Sequence, residues 1–164
     1  MKKILFAASE AVPFMKTGGL ADVTGSLPKY FDKKNYDVRV ILPKYVCMEE
    51  RWKGQLHFLC HFYVNLSWRK QYVGIFETTY DGITYYLVDN EFYFAGNAPY
   101  NNIYEDVEKF AFFSKAVLEA LPYLDFCPDI IHCHDWQTGL LPVFLRTLYG
   151  DEEYYTGIKT VFSI

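Results

Sequence analysis

Residues 3–8 (K-I-L-F-A-A) form an unbroken apolar run that Pro13 and the Gly18-Gly19 pair soon interrupt. A strand with no polar alternation has no solvated face, so it belongs in a parallel sheet covered on both sides. After the break, Leu20, Val23, Leu27 and the Tyr30-Phe31 pair recur at helical spacing and predict a helix with those side chains on one face. Residues 37–42 (D-V-R-V-I-L) predict a second buried strand, closed by Pro43. Strand, loop, helix and strand in that order make a right-handed crossover unit.

The middle of the chain differs in character. Residues 55–68, 71–79 and 83–88 are aromatic and β-branched runs, and Asp81-Gly82 between the last two is a tight-hairpin signal. They predict antiparallel additions to the sheet. Residues 90–102 read as a loop, and 104–121 as an amphipathic helix carrying Phe110, Phe113, Val117 and Leu121 on its inner face. A strand over 129–133, a helix over 138–149 and a strand over 158–164 complete the pattern. The expectation is an α/β domain over 1–164, with a mostly parallel sheet flanked by helices. The final strand stops with no turn, cap or polar tail, as if the sequence were a piece of a longer chain.

Composition excludes several function classes. With 164 residues, 51% of them hydrophobic, the chain can bury a core and is not disordered. A net charge of -4 offers no general attraction to nucleic acid or to anionic lipid. The apolar stretch after Met1-Lys2-Lys3 ends at Glu10, too soon for a signal peptide core or a membrane span, so a cytoplasmic protein is expected. Cys47, Cys60, Cys127 and Cys133 form no C-x-x-C pair and are expected as free thiols, with Cys60 and Cys133 in strand-like runs as core filler.

Ligands of open parallel sheets bind outside the carboxyl ends of the strands, which directs attention to two segments. The first, residues 9–23, joins Lys16, Gly18 and Gly19 to a helix start, where unpaired amides and a partial positive charge favour an anion such as phosphate. Asp22 could accept hydrogen bonds from sugar hydroxyls. The spacing matches neither G-x-G-x-x-G nor the Walker pattern, and a plain turn with a helix-capping acid explains the same residues. The second segment is His132-Cys133-His134-Asp135-Trp136-Gln137. Alternation puts the two histidines on one side and Cys133 on the other, which argues against a zinc site. A sugar-binding edge made by Asp135, Gln137 and the flat face of Trp136 is one reading. A core-filling Trp136 is the other.

The string over 9–23 with K-T-G-G-L-A-D-V intact, continuing through Gly25 and Leu27-Pro28, resembles the amino-terminal signature of bacterial glycogen synthases and plant starch synthases. Residues 128–140 (P-D-I-I-H-C-H-D-W-Q-T-G-L) are similar to their second signature, and the Pro99-Tyr100 loop falls where relatives place a cleft tyrosine. The resemblance covers the whole chain in order. It implies the Rossmann-like amino-terminal domain of a GT-B glycosyltransferase, cut before a carboxy-terminal nucleotide-binding domain. It implies transfer of glucose from ADP-glucose to the non-reducing 4-hydroxyl of an α-1,4-glucan with retention, no metal and no further cofactor. By the same resemblance Lys16, Gly18 and Gly19 lie against the donor's diphosphate, Asp22, Tyr100 and Asp135 line the sugar or acceptor side, and His134 belongs to the catalytic set. The 164 residues alone are expected to be inactive, and a sugar-binding or scaffolding module, or a transferase using another nucleotide sugar, are the alternatives.

Three positions depart from the family pattern. Val107 follows Asp106 where asparagine is usual, Lys109 stands where arginine is expected, and Gln137 replaces a histidine found in several relatives. Lysine cannot reproduce the two-pronged guanidinium fork.

Overall fold

A computed structural model describes residues 1–164. A sheet built from β1 (Lys2–Ala7), β2 (Tyr36–Pro43), β3 (His57–Leu66), β4 (Arg69–Tyr80), β5 (Ile83–Asp89), β6 (Ile130–His134) and β7 (Lys159–Ser163) runs in the order β3-β4-β5-β2-β1-β6-β7. The neighbours from β5 to β7 pair in parallel. β4 is antiparallel to both β3 and β5. Asp81 and Gly82 turn the β4–β5 hairpin with φ of 51° and 74°, the paired left-handed geometry that suits a right-twisted hairpin. A second hairpin turns at Ser67, φ 55°.

Helices α1 (Gly19–Ser26), α2 (Glu50–Lys53), α3 (Ile103–Ala120) and α4 (Leu140–Thr147) cover the sheet. The face carrying Leu5, Ile41 and Cys133 packs under α3 and α4 in the larger of two apolar clusters. The opposite face, with Phe6, Val40 and Leu87, is covered more thinly by Ala11, Phe14, Met48 and Trp52. α3 starts at Asn102, whose Oδ1 accepts the amides of Tyr104 and Glu105 at 3.1 and 3.2 Å. It buries Phe110, Phe112, Phe113, Val117 and Leu118, each worth about 1.5–3 kcal/mol.

Two expectations need correction. The helix expected through Phe31 is an α-helix only to Ser26, followed by a 3₁₀ turn (Leu27–Tyr30) that begins where Pro28 removes a donor. Its apolar stripe faces outward: Val23, Leu27 and Tyr30 are exposed, whereas Ala21, Thr24, Gly25 and Pro28 are buried. The reason is close approach, since a Cβ on Gly25 would stand 2.5 Å from the Val12 carbonyl oxygen. Small residues therefore take the inner face. Cys133 is fully buried as expected, while Cys60 is only partly buried against the core, and all four thiols are free.

Strand order places the site. From β1 the chain moves through α1 to β2 on one side, and from β6 through α4 to β7 on the other. The sheet therefore changes winding direction between β1 and β6, and a crevice opens there at the strands' carboxyl ends.

Candidate active site

The loop after β1 is organised by a buried acid. Glu10 is 2% exposed and accepts the Thr17 amide at 2.9 Å, the Thr17 hydroxyl at 2.6 Å and the Gly18 amide at 3.2 Å. Thr24 Oγ1 ties the Glu10 carbonyl to α1 at 2.6 Å, and the Tyr45 hydroxyl donates to the Ser9 carbonyl at 2.7 Å. These bonds hold Gly18 extended at the start of α1, where no side chain caps the helix. The first amides of α1 thus face outward without an intrahelical acceptor. Nothing lies within 4 Å of a Cβ built on Gly19, so backbone is open to a ligand there.

Lys16 does not stand free. Its Nζ donates to both Asp22 carboxylate oxygens at 2.7 and 2.8 Å, with both side chains about half exposed. The cation expected to meet a phosphate is one half of a surface ion pair in this structure, and Asp22 spends its acceptors on Lys16.

At the end of β6 the backbone is strained. Asp135 adopts φ 60° and ψ 178°, a region that only glycine visits freely. Its amide donates to the Ser163 carbonyl at 2.9 Å, and its own carbonyl accepts the Thr138 amide at 3.1 Å. The bend throws Asp135 to the mouth of a cleft of about 220 Å³ lined by Leu20, Val23, His134, Asp135, Ser163 and Ile164. The outward apolar stripe of α1 is one wall of this cleft. The two sequence segments therefore meet at one rim.

His132 and His134 point to the same face, ring centroids 4.1 Å apart. His132 Nε2 bonds Ser163 Oγ at 2.8 Å, whereas the buried His134 Nε2 has no partner. Burial, then the neighbouring His132, pushes the His134 imidazolium down to about 4, so the ring is neutral at neutral pH. Cys133, on the other face, is pushed by burial up to about 12 and is no thiolate. No three His, Cys, Asp or Glu side chains converge on a point that could hold a metal ion. Trp136 does not fill the core: it is 50% exposed, with its edge against Phe110 at 5.4 Å. Gln137 is buried with Oε1 unpartnered.

Tyr100 closes the arrangement from above. Its hydroxyl lies 2.7 Å from Ser9 Oγ. Burial pushes the phenol up to about 12, with the Glu10 and Asp135 carboxylates also disfavouring the phenolate against the Ser9 hydrogen bond. It is a neutral hydrogen-bonding group between the two segments.

The family described as the starch synthase catalytic domain matches residues 3–164. The chain belongs to the starch synthase catalytic domain family. It is 66% identical over its whole length to a glycogen synthase of Lachnoclostridium phytofermentans and 60% identical to one of Lachnospira eligens, covering 34% of each. It is similar also to the solved catalytic domain of starch synthase IV from Arabidopsis thaliana bound to ADP and acarbose, with a TM-score of 0.85 and 28% identity. That match covers 98% of this chain and 33% of the other. The chain spans about a third of the length of the curated relatives it matches. Its mixed, mostly parallel sheet flanked by helices is the GT-B-type fold of starch synthases.

Two residues of this family member escaped the sequence reading as site components, Ser9 and Glu10. A charged residue directly after a doubly buried strand was the available signal for Glu10, because a carboxylate so placed needs several donors. Nothing local announces the Ser9 contact, whose partner Tyr100 is 91 residues away.

Proposed function

We propose that the chain is the donor-facing and acceptor-facing part of a longer glycogen synthase. That enzyme transfers glucose from ADP-glucose to the non-reducing 4-hydroxyl of an α-1,4-glucan, retaining the anomeric configuration. One observation carries the reading: the uncapped start of α1 and the Asp135 bend share a rim at the point where the sheet reverses its winding. The relatives' shared designation as glycogen synthases supports it, as does the starch synthase IV domain solved with ADP and acarbose.

In this reading the amides that open α1 from Gly19 onward and the Lys16 ammonium stabilise the diphosphate as it departs with its electrons. Gly18, whose own amide is held by Glu10, lets the phosphate approach closely because it carries no side chain. The exposed Lys16–Asp22 pair is worth at most about 1 kcal/mol, so a diphosphate displaces Asp22 at little cost. Asp22 is then free to accept from sugar hydroxyls. Tyr100, Asp135 and the neutral His134 meet the glucosyl unit or the acceptor by hydrogen bonds, between the apolar wall of Leu20 and Val23 and the half-exposed Trp136. The nucleotide base and further phosphate contacts belong to a carboxy-terminal domain outside these residues, so the 164 residues alone do not elongate glucan. No metal and no cofactor take part. The enzyme works in the cytoplasm; no helix is long and apolar enough to cross a membrane.

The test is elongation of glycogen by the full-length protein supplied with ADP-glucose or with UDP-glucose. Elongation with ADP-glucose supports the reading. Preference for UDP-glucose moves the assignment to another nucleotide-sugar transferase, and inactivity with both donors leaves a sugar-binding module.

A further inference from the structure

Within the first two turns of α3 lies an ion pair that the proposed chemistry does not use. Asp106 and Lys109 are 5% and 2% exposed, and Lys109 Nζ donates to Asp106 Oδ1 at 2.9 Å. Burial of a full charge pair is costly unless its remaining hydrogen-bonding capacity is satisfied. Here that capacity goes to one short piece of backbone. Lys109 Nζ donates to the Pro99 carbonyl at 2.8 Å. Both Asp106 oxygens accept the Asn101 amide at 3.1 Å. The Pro99 carbonyl belongs to the peptide group before Tyr100 and the Asn101 amide to the one after it. The two peptide planes that bound the φ and ψ of Tyr100 are thus each gripped by one member of the pair.

We propose that Asp106 and Lys109 are positioning residues, a buried charged clamp that fixes the backbone of Tyr100 so that its hydroxyl reaches Ser9 at the rim of the cleft. The inference rests on the functional reading above for its catalytic consequence, but not for its structural one. Two further contacts tie the clamp to the site: Tyr100 packs on Phe110 with ring centroids 5.9 Å apart, and Phe110 meets Trp136. Any loosening of the 99–101 backbone therefore moves the hydroxyl relative to Ser9 and to the β6 segment. Lysine suffices at position 109 because the work is done by two single-point bonds, one to a carbonyl and one to a carboxylate, rather than by a planar fork. The sequence departure from arginine is thereby accounted for.

A thermodynamic cycle in the full-length protein separates positioning from general stabilisation. Tyr100→Phe is expected to lower kcat about tenfold, the scale of one hydrogen bond lost in the transition state. Lys109→Met alone is expected to lower kcat by a similar factor with little change in KM. Added to Tyr100→Phe, it is expected to cause no further loss. Lys109→Arg, which can donate to both partners, is expected to restore most of the rate. Independent, multiplying losses in the double variant, or an unchanged kcat in Lys109→Met, overturn the clamp. Should Lys109→Met not fold, Lys109→Gln, a shorter neutral side chain that cannot reach the Pro99 carbonyl and Asp106 together, takes its place in the cycle. A crystal structure of the same variant gives the answer without activity. The clamp requires residues 99–101 to shift and the Tyr100–Ser9 contact to open, and an unmoved Tyr100 contradicts it. An inactive wild-type enzyme would instead count against the functional reading.

Discussion

His134 lies beside His132 at the end of β6 with ring centroids 4.1 Å apart and ring planes tilted by 30°, and both rings lie against Phe6. Burial makes the imidazolium form unfavourable in each, lowering His132 and taking His134 from 6.5 to about 4. The unfolded chain then binds more protons than the folded one between those values. Stability is therefore full above about pH 6.5 and falls as the pH drops toward 4. For His134 the loss is roughly 3 kcal/mol, at about 1.4 kcal/mol per pKa unit. Denaturant unfolding between pH 4 and 7.5 measures it. In His134→Gln the slope over that range should be clearly shallower, and an unchanged slope contradicts the assignment.

The strain at Asp135 has a directional consequence. Glycine reaches φ 60°, ψ 178° freely and alanine does not. Asp135→Gly should therefore be more stable than Asp135→Ala by about 1 kcal/mol or more, while both lose transfer activity in the full-length enzyme. Equal melting temperatures for the two variants would show that the bend is not strained.

Gly25 tests why the inner face of α1 is made of small residues. A methyl group there meets the Val12 backbone at 2.5 Å, so Gly25→Ala should destabilise by about 1–3 kcal/mol although alanine is the better helix former. Gly19→Ala meets open space, and its thermal midpoint should stay near that of the parent. A stabilised Gly25→Ala would refute the close approach.

Much of this fold is legible in the sequence because burial on both faces removes polar alternation: the runs at 3–8, 37–42 and 129–133 could be little else than parallel strands. Asp81-Gly82 likewise announces its own turn geometry. The α1 face is misread for a physical reason. Periodicity tells which side chains share a face, but Val23, Leu27 and Tyr30 face outward because backbone approach at Gly25 leaves no room for them inside. Within the candidate site, the two motif segments and their common rim follow from strand order. The contacts that join them do not, since Ser9–Tyr100 and Lys109–Pro99 depend on how a long loop folds back over the sheet.

The donor-facing role of the loop after β1 is tested most directly by the kcat of glucose transfer from ADP-glucose in full-length Lys16→Met. If the ammonium meets the departing diphosphate, kcat should fall about 100-fold or more, the scale of one preorganised charge-stabilising donor. The melting temperature should hardly move, because an exposed ion pair contributes little to folding. A variant that keeps its kcat and loses stability instead would mean that Lys16 serves only to pin Asp22.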